Sequence, residues 1–160
     1  MNETSLKVET VKEVLGDLGT VEQVRWNRTK VTTTLEKVRE AILRSQSILD
    51  CSHLVQIAAV DNGKTFELIY QLTGPHRMVV ALAVELPRDK PEAPTTSDIL
   101  PPAGIYERQI HDLLGIVFRG HPALNRIILN EDWPANEFPL RKDWKMDPNR
   151  FYGGVHEEAK

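Results

Sequence analysis

Apolar residues recur at helical spacing through residues 5–18, where Val8, Val11, Leu15 and Leu18 share one face and Gly19 follows as a stop. Residues 21–26 alternate and residues 31–33 are β-branched, which predicts two short strands. Thr33 and Glu36 have the spacing of a capping box. The Thr33 hydroxyl would take a free amide of the first turn, and Glu36 would reach back to the Thr33 amide. The helix so opened would run to about Ser45, with Leu35, Val38 and Ile42 on its buried stripe. Three strand patterns follow. Residues 54–60 are nearly all apolar, residues 65–72 set Phe66, Leu68, Tyr70 and Leu72 on one face, and residues 78–86 are the most apolar. Asp61-Asn62-Gly63 and Gly74-Pro75-His76 separate them as turns. This order predicts an α+β fold, helices packed on a mostly antiparallel sheet.

The pattern breaks at Pro87. Residues 87–102 hold five of the ten prolines and read as a linker, since proline removes backbone donors. Residues 103–114 are helical in pattern, with Tyr106, Ile110 and Leu113 on one face and Gly115 as the stop. Beyond Phe118 the periodicity fades, and only residues 126–129 read as a strand. The division is therefore an α+β domain (1–86), a Pro-rich linker (87–102), a helix segment (103–116) and an extended C-terminal arm (117–160). The arm is rich in Trp, Phe, Arg and Asp. Free disorder is poor in aromatics, and an arm of this composition suits a partner's surface. With no periodic pattern, it is not expected to bury these groups against its own chain.

Length and composition bound the function. The 160 residues suffice for one domain with an extension. A net charge of −3 offers no broad basic surface and argues against nucleic acid as a partner. The one cysteine, Cys51, allows no internal disulfide and no four-Cys iron–sulfur cluster. The longest apolar run, 78–84, has seven residues, against about 20 for a membrane span. Residues 1–7 lack the basic-then-apolar order of a signal peptide. The expectation is a soluble chain, or one attached to a membrane only through partners.

The densest polar cluster is Glu107-Arg108-Gln109-Ile110-His111-Asp112. Arg108 and Asp112 stand four apart, as do Glu107 and His111, so each pair shares a helix face. Surface salt pairing is the plain reading. An acid/base site and a docking patch are the functional ones. His53, His76, His111, His121 and His156 show no ligand-pair spacing, and no phosphate-binding or nucleophile-elbow motif is present. Cys51 with His53 would make a conceivable nucleophile pair, against the commoner buried thiol. Pro139-Leu140-Arg141-Lys142-Asp143-Trp144 reads either as a solvated tail or as Arg and Trp anchors in a partner's groove.

Ordered blocks in the C-terminal third carry a resemblance. They are Tyr106-Glu107-Arg108-Gln109-Ile110-His111-Asp112-Leu113-Leu114-Gly115-Ile116, Phe118-Arg119-Gly120-His121-Pro122, Arg126-Ile127-Ile128-Leu129, Glu131-Asp132-Trp133 and Pro139-Leu140-Arg141-Lys142-Asp143. In order and spacing they resemble the 30 kDa subunit family of respiratory complex I, which also occurs in membrane-bound nickel–iron hydrogenases and related energy-converting complexes. Gln109 stands where that family usually has Glu, His111 where it has a bulkier residue, and the Trp before the Glu-Arg pair is absent. These departures, and the short chain, point to a hydrogenase-type or archaeal-type relative. A component of a NADH–quinone oxidoreductase proper is the alternative.

The resemblance implies a non-catalytic, cofactor-free subunit of an ion-translocating oxidoreductase. It would sit peripherally on the cytoplasmic face of the cell membrane, bracing a large hydrogenase-like catalytic subunit and a small cluster-bearing one. Iron–sulfur clusters, and in the hydrogenase branch a nickel–iron centre, would belong to those partners. The interface residues expected are Glu107, Arg108, Asp112, Phe118, His121, Arg126, Trp133, Leu140, Arg141, Lys142, Asp143 and Trp144. Glu107, Arg108 and Asp112 would either face the partner or lock the helix to the arm. A stand-alone enzyme using Glu107, His111 and Cys51, and a free adaptor module, are the competing classes.

Overall fold

The structure, a computed structural model, describes residues 7–149. Helix α1 (Val8–Leu15) leads into the hairpin β1 (Gly19–Arg25) and β2 (Arg28–Thr33). Helix α2 (Val38–Ser47) precedes three long strands, β3 (His53–Asp61), β4 (Thr65–Thr73) and β5 (Val79–Pro87). A short strand β6 (Glu92–Pro94), helix α3 (Ala103–Leu114) and strand β7 (Val117–Arg119) complete the regular elements among the described residues.

The five-stranded sheet has the order β1-β2-β5-β4-β3. Only the β2–β5 pairing within it is parallel. Register explains why one face is the core. Val31, Leu82 and Tyr70 lie side by side across β2, β5 and β4, as do Thr29, Val80 and Leu72, and all six are buried. Strand β4 buries every second residue, as its alternation requires. Helices α1, α2 and α3 cover this face, packing on β1 and β2, on β5, and on β3 respectively. The opposite face, with Thr32, Val60 and Glu85 exposed, carries no described helix. The α+β architecture expected from the pattern is therefore the one observed.

Three local expectations are corrected. The capping box does not form: Thr33 is the last residue of β2, paired with Gly19 and Val84, and its hydroxyl donates to Leu18 O at 2.7 Å. Helix α2 accordingly starts later, at Val38, with no side-chain cap. Part of the expected linker is regular, because β6 pairs in parallel with β7. Strands of three residues have no period to read in a sequence. Residues 126–129 are not a strand; their amides are taken by a side chain instead of a ladder, as described below.

Candidate functional site

Helix α3 places the polar cluster. Its buried stripe is Ala103, Glu107, Ile110 and Leu114, so Glu107 falls where an apolar residue would be expected. Glu107 is fully buried. Its Oε1 accepts the Thr96 amide at 2.7 Å and the Thr96 hydroxyl at 2.8 Å, and its Oε2 accepts the Thr95 hydroxyl at 2.5 Å. These bonds satisfy a carboxylate that would otherwise cost several kcal/mol to bury. They pin the segment after β6 to α3. Arg39 on α2 closes the same region, donating to Thr95 O and to both oxygens of Asp98. The Tyr70 phenol lies nearby, fully buried and with no hydrogen-bond partner among the described residues. Burial, and then the Glu107 charge, push its pKa well above the usual tyrosine value.

Asp112 lies one helical turn further on and is also buried. Its Oδ2 accepts three successive backbone amides, Ile127 at 3.1 Å, Ile128 at 2.8 Å and Leu129 at 2.8 Å. Burial alone would raise its pKa. The three amides, with Arg126 3.9 Å away, outweigh that and hold the carboxyl below its ordinary range. Arg108 supplies the complement, donating to Asn125 O at 3.1 Å and Arg126 O at 3.0 Å. Neither same-face pair of the sequence reading forms. Arg108 and Asp112 each turn to the backbone of the arm, and His111 Nδ1 donates to Ile116 O at 2.9 Å.

The described arm continues across its own domain. Phe118 is buried in the core. His121 Nε2 donates to Gly104 O at 3.1 Å, while its Nδ1 accepts the Ala123 amide at 3.0 Å. Arg126 donates to the carbonyls of Asn130 at 3.1 Å and Trp133 at 2.7 Å. Trp133 and Trp144 stack at 6.0 Å between ring centroids, and both indole N–H groups reach Glu137. The Arg141 guanidinium lies 5.4 Å from the Phe66 ring centre and 4.4 Å from that of Phe138, and its Nε donates to Leu114 O at 2.7 Å.

A second carboxylate anchors the far end. Asp61, at the end of β3, accepts the Lys142 amide at 2.8 Å, the Gly63 amide at 2.7 Å and Arg88. Arg88 bridges onward to Asp143 at 2.5 Å. Burial would raise the Asp61 carboxyl, but Arg88 and the two amides bring it down to about 2.

Two expectations change here. Glu107, Asp112 and Phe118 are buried inside the chain, and Asp112 holds α3 to the arm, the second of the two roles expected for it. The arm as far as Asp143 also finds contacts on its own domain. Charged side chains and backbone amides, not an apolar period, provide them. Residues 150–160 of the arm lie outside the described residues. Of the expected interface residues, Leu140, Lys142 and Asp143 are exposed, and Arg108, His121, Arg126, Trp133, Arg141 and Trp144 are half-buried.

Sequence reading missed Thr95, Thr96, Asp61 and Arg88. The one signal available was Glu107 on an apolar stripe, which calls for buried donors from elsewhere. Cys51 is buried, and burial pushes its thiol up to about 11, which makes it a poor nucleophile. Among the described residues no group of three His, Cys, Asp or Glu is placed to hold a metal, and no helix is long and apolar enough to cross a membrane.

Residues 24–150 match the family described as respiratory-chain NADH dehydrogenase, 30 Kd subunit. The chain is 37% identical to a subunit of the NADH-quinone oxidoreductase of Acidothermus cellulolyticus over 62% of its length, and spans about half, 48%, of that relative. It is 35% identical to a subunit of the F(420)H(2) dehydrogenase of Methanosarcina mazei, covering 72% of this chain and 74% of that one. A chain from the structure of the membrane-bound sulfane sulfur reductase, an archaeal respiratory membrane complex, superposes with a TM-score of 0.67 at 26% identity. That match covers 86% of this chain and 85% of the other. The chain belongs to the 30 Kd subunit family of the respiratory-chain NADH dehydrogenase.

Proposed function

We propose that the chain is a cofactor-free structural subunit in the hydrophilic part of a membrane-associated, complex I-like oxidoreductase. It would brace a large catalytic subunit and a small cluster-bearing one. The observation that carries this reading is the family match, which runs from the end of β1 through α3 to the end of the described arm. The geometry supports it. Glu107, Asp112 and Asp61 spend buried carboxylates on fixing loops, an arrangement suited to presenting a rigid surface. The exposed side chains of the arm, Leu140, Lys142 and Asp143, together with Ile127 and Ile128, are the contact points we assign to the partner.

The NADH–quinone type is the better-supported branch, since the Acidothermus cellulolyticus relative bears that name. It replaces the hydrogenase-type reading drawn from Gln109 and His111. A second acceptor class stays open through the archaeal relatives, whose names give F(420)H(2) dehydrogenase and sulfane sulfur reductase. The test is affinity purification of the tagged chain from detergent-extracted membranes of its own cells. The expected result is a large, iron-containing assembly with family-type catalytic and cluster-bearing subunits in equal amounts. Recovery of the chain alone would overturn the proposal.

A further inference from the structure

The tip of the β1–β2 hairpin combines three features that its own fold does not explain. Arg25 and Arg28 are register partners across the hairpin, so their side chains leave the same face of the sheet. Like charges directly opposite one another destabilise a strand pair. Trp26, in the turn between them, is 77% exposed. Neither arginine has a hydrogen bond or ion pair to another described residue, which sets them apart. Arg39, Arg44, Arg88, Arg119 and Arg126 each face a carboxylate. Arg108 donates to carbonyls and Arg141 stacks on two phenyl rings. The β4–β5 turn lies alongside, because the Val79 amide donates to Asn27 O at 2.8 Å, and it brings Arg77 to the same end of the sheet.

An isolated hairpin gains nothing from two opposed guanidinium groups around a solvated indole. A partner that set carboxylates between the guanidinium groups and took the indole into an apolar recess would remove both costs. Guanidinium forks match carboxylates in bidentate geometry, and Trp and Arg are the residue types that dominate interface energies. Nucleic acid and an anionic bilayer are poorer matches. Both demand a broad basic surface, whereas this chain has a net charge of −3, and the two arginines without a partner among its described residues, Arg25 and Arg28, stand together at one tip. We infer that Arg25, Trp26 and Arg28 form a docking point for an acidic surface of a neighbouring protein subunit. This rests on the reading of the chain as a subunit.

The experiment uses the full chain in its purified assembly. Arg25→Lys and Arg28→Lys variants are treated with a carbodiimide, which joins an amine only to a carboxylate in contact with it. The expected product is a cross-link from the introduced amine to Asp or Glu of another subunit, located by mass spectrometry. Arg25→Glu with Arg28→Glu should lower the amount of chain recovered in the assembly about tenfold or more. Trp26→Ala should lower it too, and the melting temperature of the isolated variants should stay at the wild-type value. Assembly of the double charge reversal at wild-type level, or amines that cross-link to no other subunit, would overturn the inference. So would binding of the wild-type chain to phosphatidylglycerol vesicles that the double reversal abolishes, since that identifies a lipid surface. If the wild-type chain enters no assembly, the subunit reading itself fails, which is a different result.

Discussion

Asp112 Oδ2 lies 2.8 Å from the amide nitrogen of Leu129, the last of three consecutive amides that this oxygen accepts. One side chain on α3 thus sets the path of the arm. Asp112→Ala leaves three donors unsatisfied and should destabilise the protein by about 2–4 kcal/mol. Asp112→Asn, which keeps a neutral acceptor, should cost less. Thermal melts checked against hydrogen exchange at residues 127–129 would test this. Equal protection of those amides in wild type and Asp112→Ala would show that the carboxylate does not hold the loop.

Gly115 has a φ of +73°, and a Cβ there would lie 2.5 Å from Phe138 Cζ and 2.7 Å from Arg141 Nη2. Gly115→Ala therefore combines left-handed strain of about 1–2 kcal/mol with displacement of the stacked Phe138–Arg141 pair. The expected outcome is a lower melting temperature and faster proteolysis of the arm near Phe138. A variant as resistant as wild type would refute the close packing at this stop.

Asp61 ties β3 to the arm through the Lys142 amide and Arg88. Its pKa of about 2 is depressed below the unfolded value, so its stabilisation is present above the ordinary carboxylate range. It is lost as pH falls from about 4 towards 2. Arm release, read by Trp133 and Trp144 fluorescence, should follow that window. In Asp61→Asn the transition should flatten and the arm should be looser at pH 7. An unchanged acid profile in Asp61→Asn would assign the transition to other carboxylates.

Tyr70 is fully buried, its hydroxyl without a partner among the described residues. Removing an unsatisfied buried polar group is neutral or favourable, so Tyr70→Phe should raise stability by up to about 1 kcal/mol. Glu107→Ala should lower it by about 3 kcal/mol, because Thr95 and Thr96 lose their acceptor. Denaturant titration of both variants gives the comparison. A destabilised Tyr70→Phe would mean that the hydroxyl has a partner.

Much of the fold is written in local pattern. Alternation marks β4, the Asp61-Asn62-Gly63 turn joins β3 to β4, and Gly115 stops α3 where its sequence position says it should. These features depend on neighbours within a few residues, and period and turn chemistry report such neighbours directly. The family blocks from Tyr106 to Asp143 were legible for the same reason, as ordered local strings. The tertiary structure decided which way polar side chains turn. Arg108 and Asp112 look like a helix-surface pair in sequence and instead grip adjoining carbonyls and amides of one backbone stretch 15 to 18 residues away. Thr33 looks like a cap and is a strand end. Asp61 looks like turn punctuation and holds an amide 81 residues on. A buried carboxylate must find donors wherever the chain brings them, and the sequence carries no spacing that names those partners.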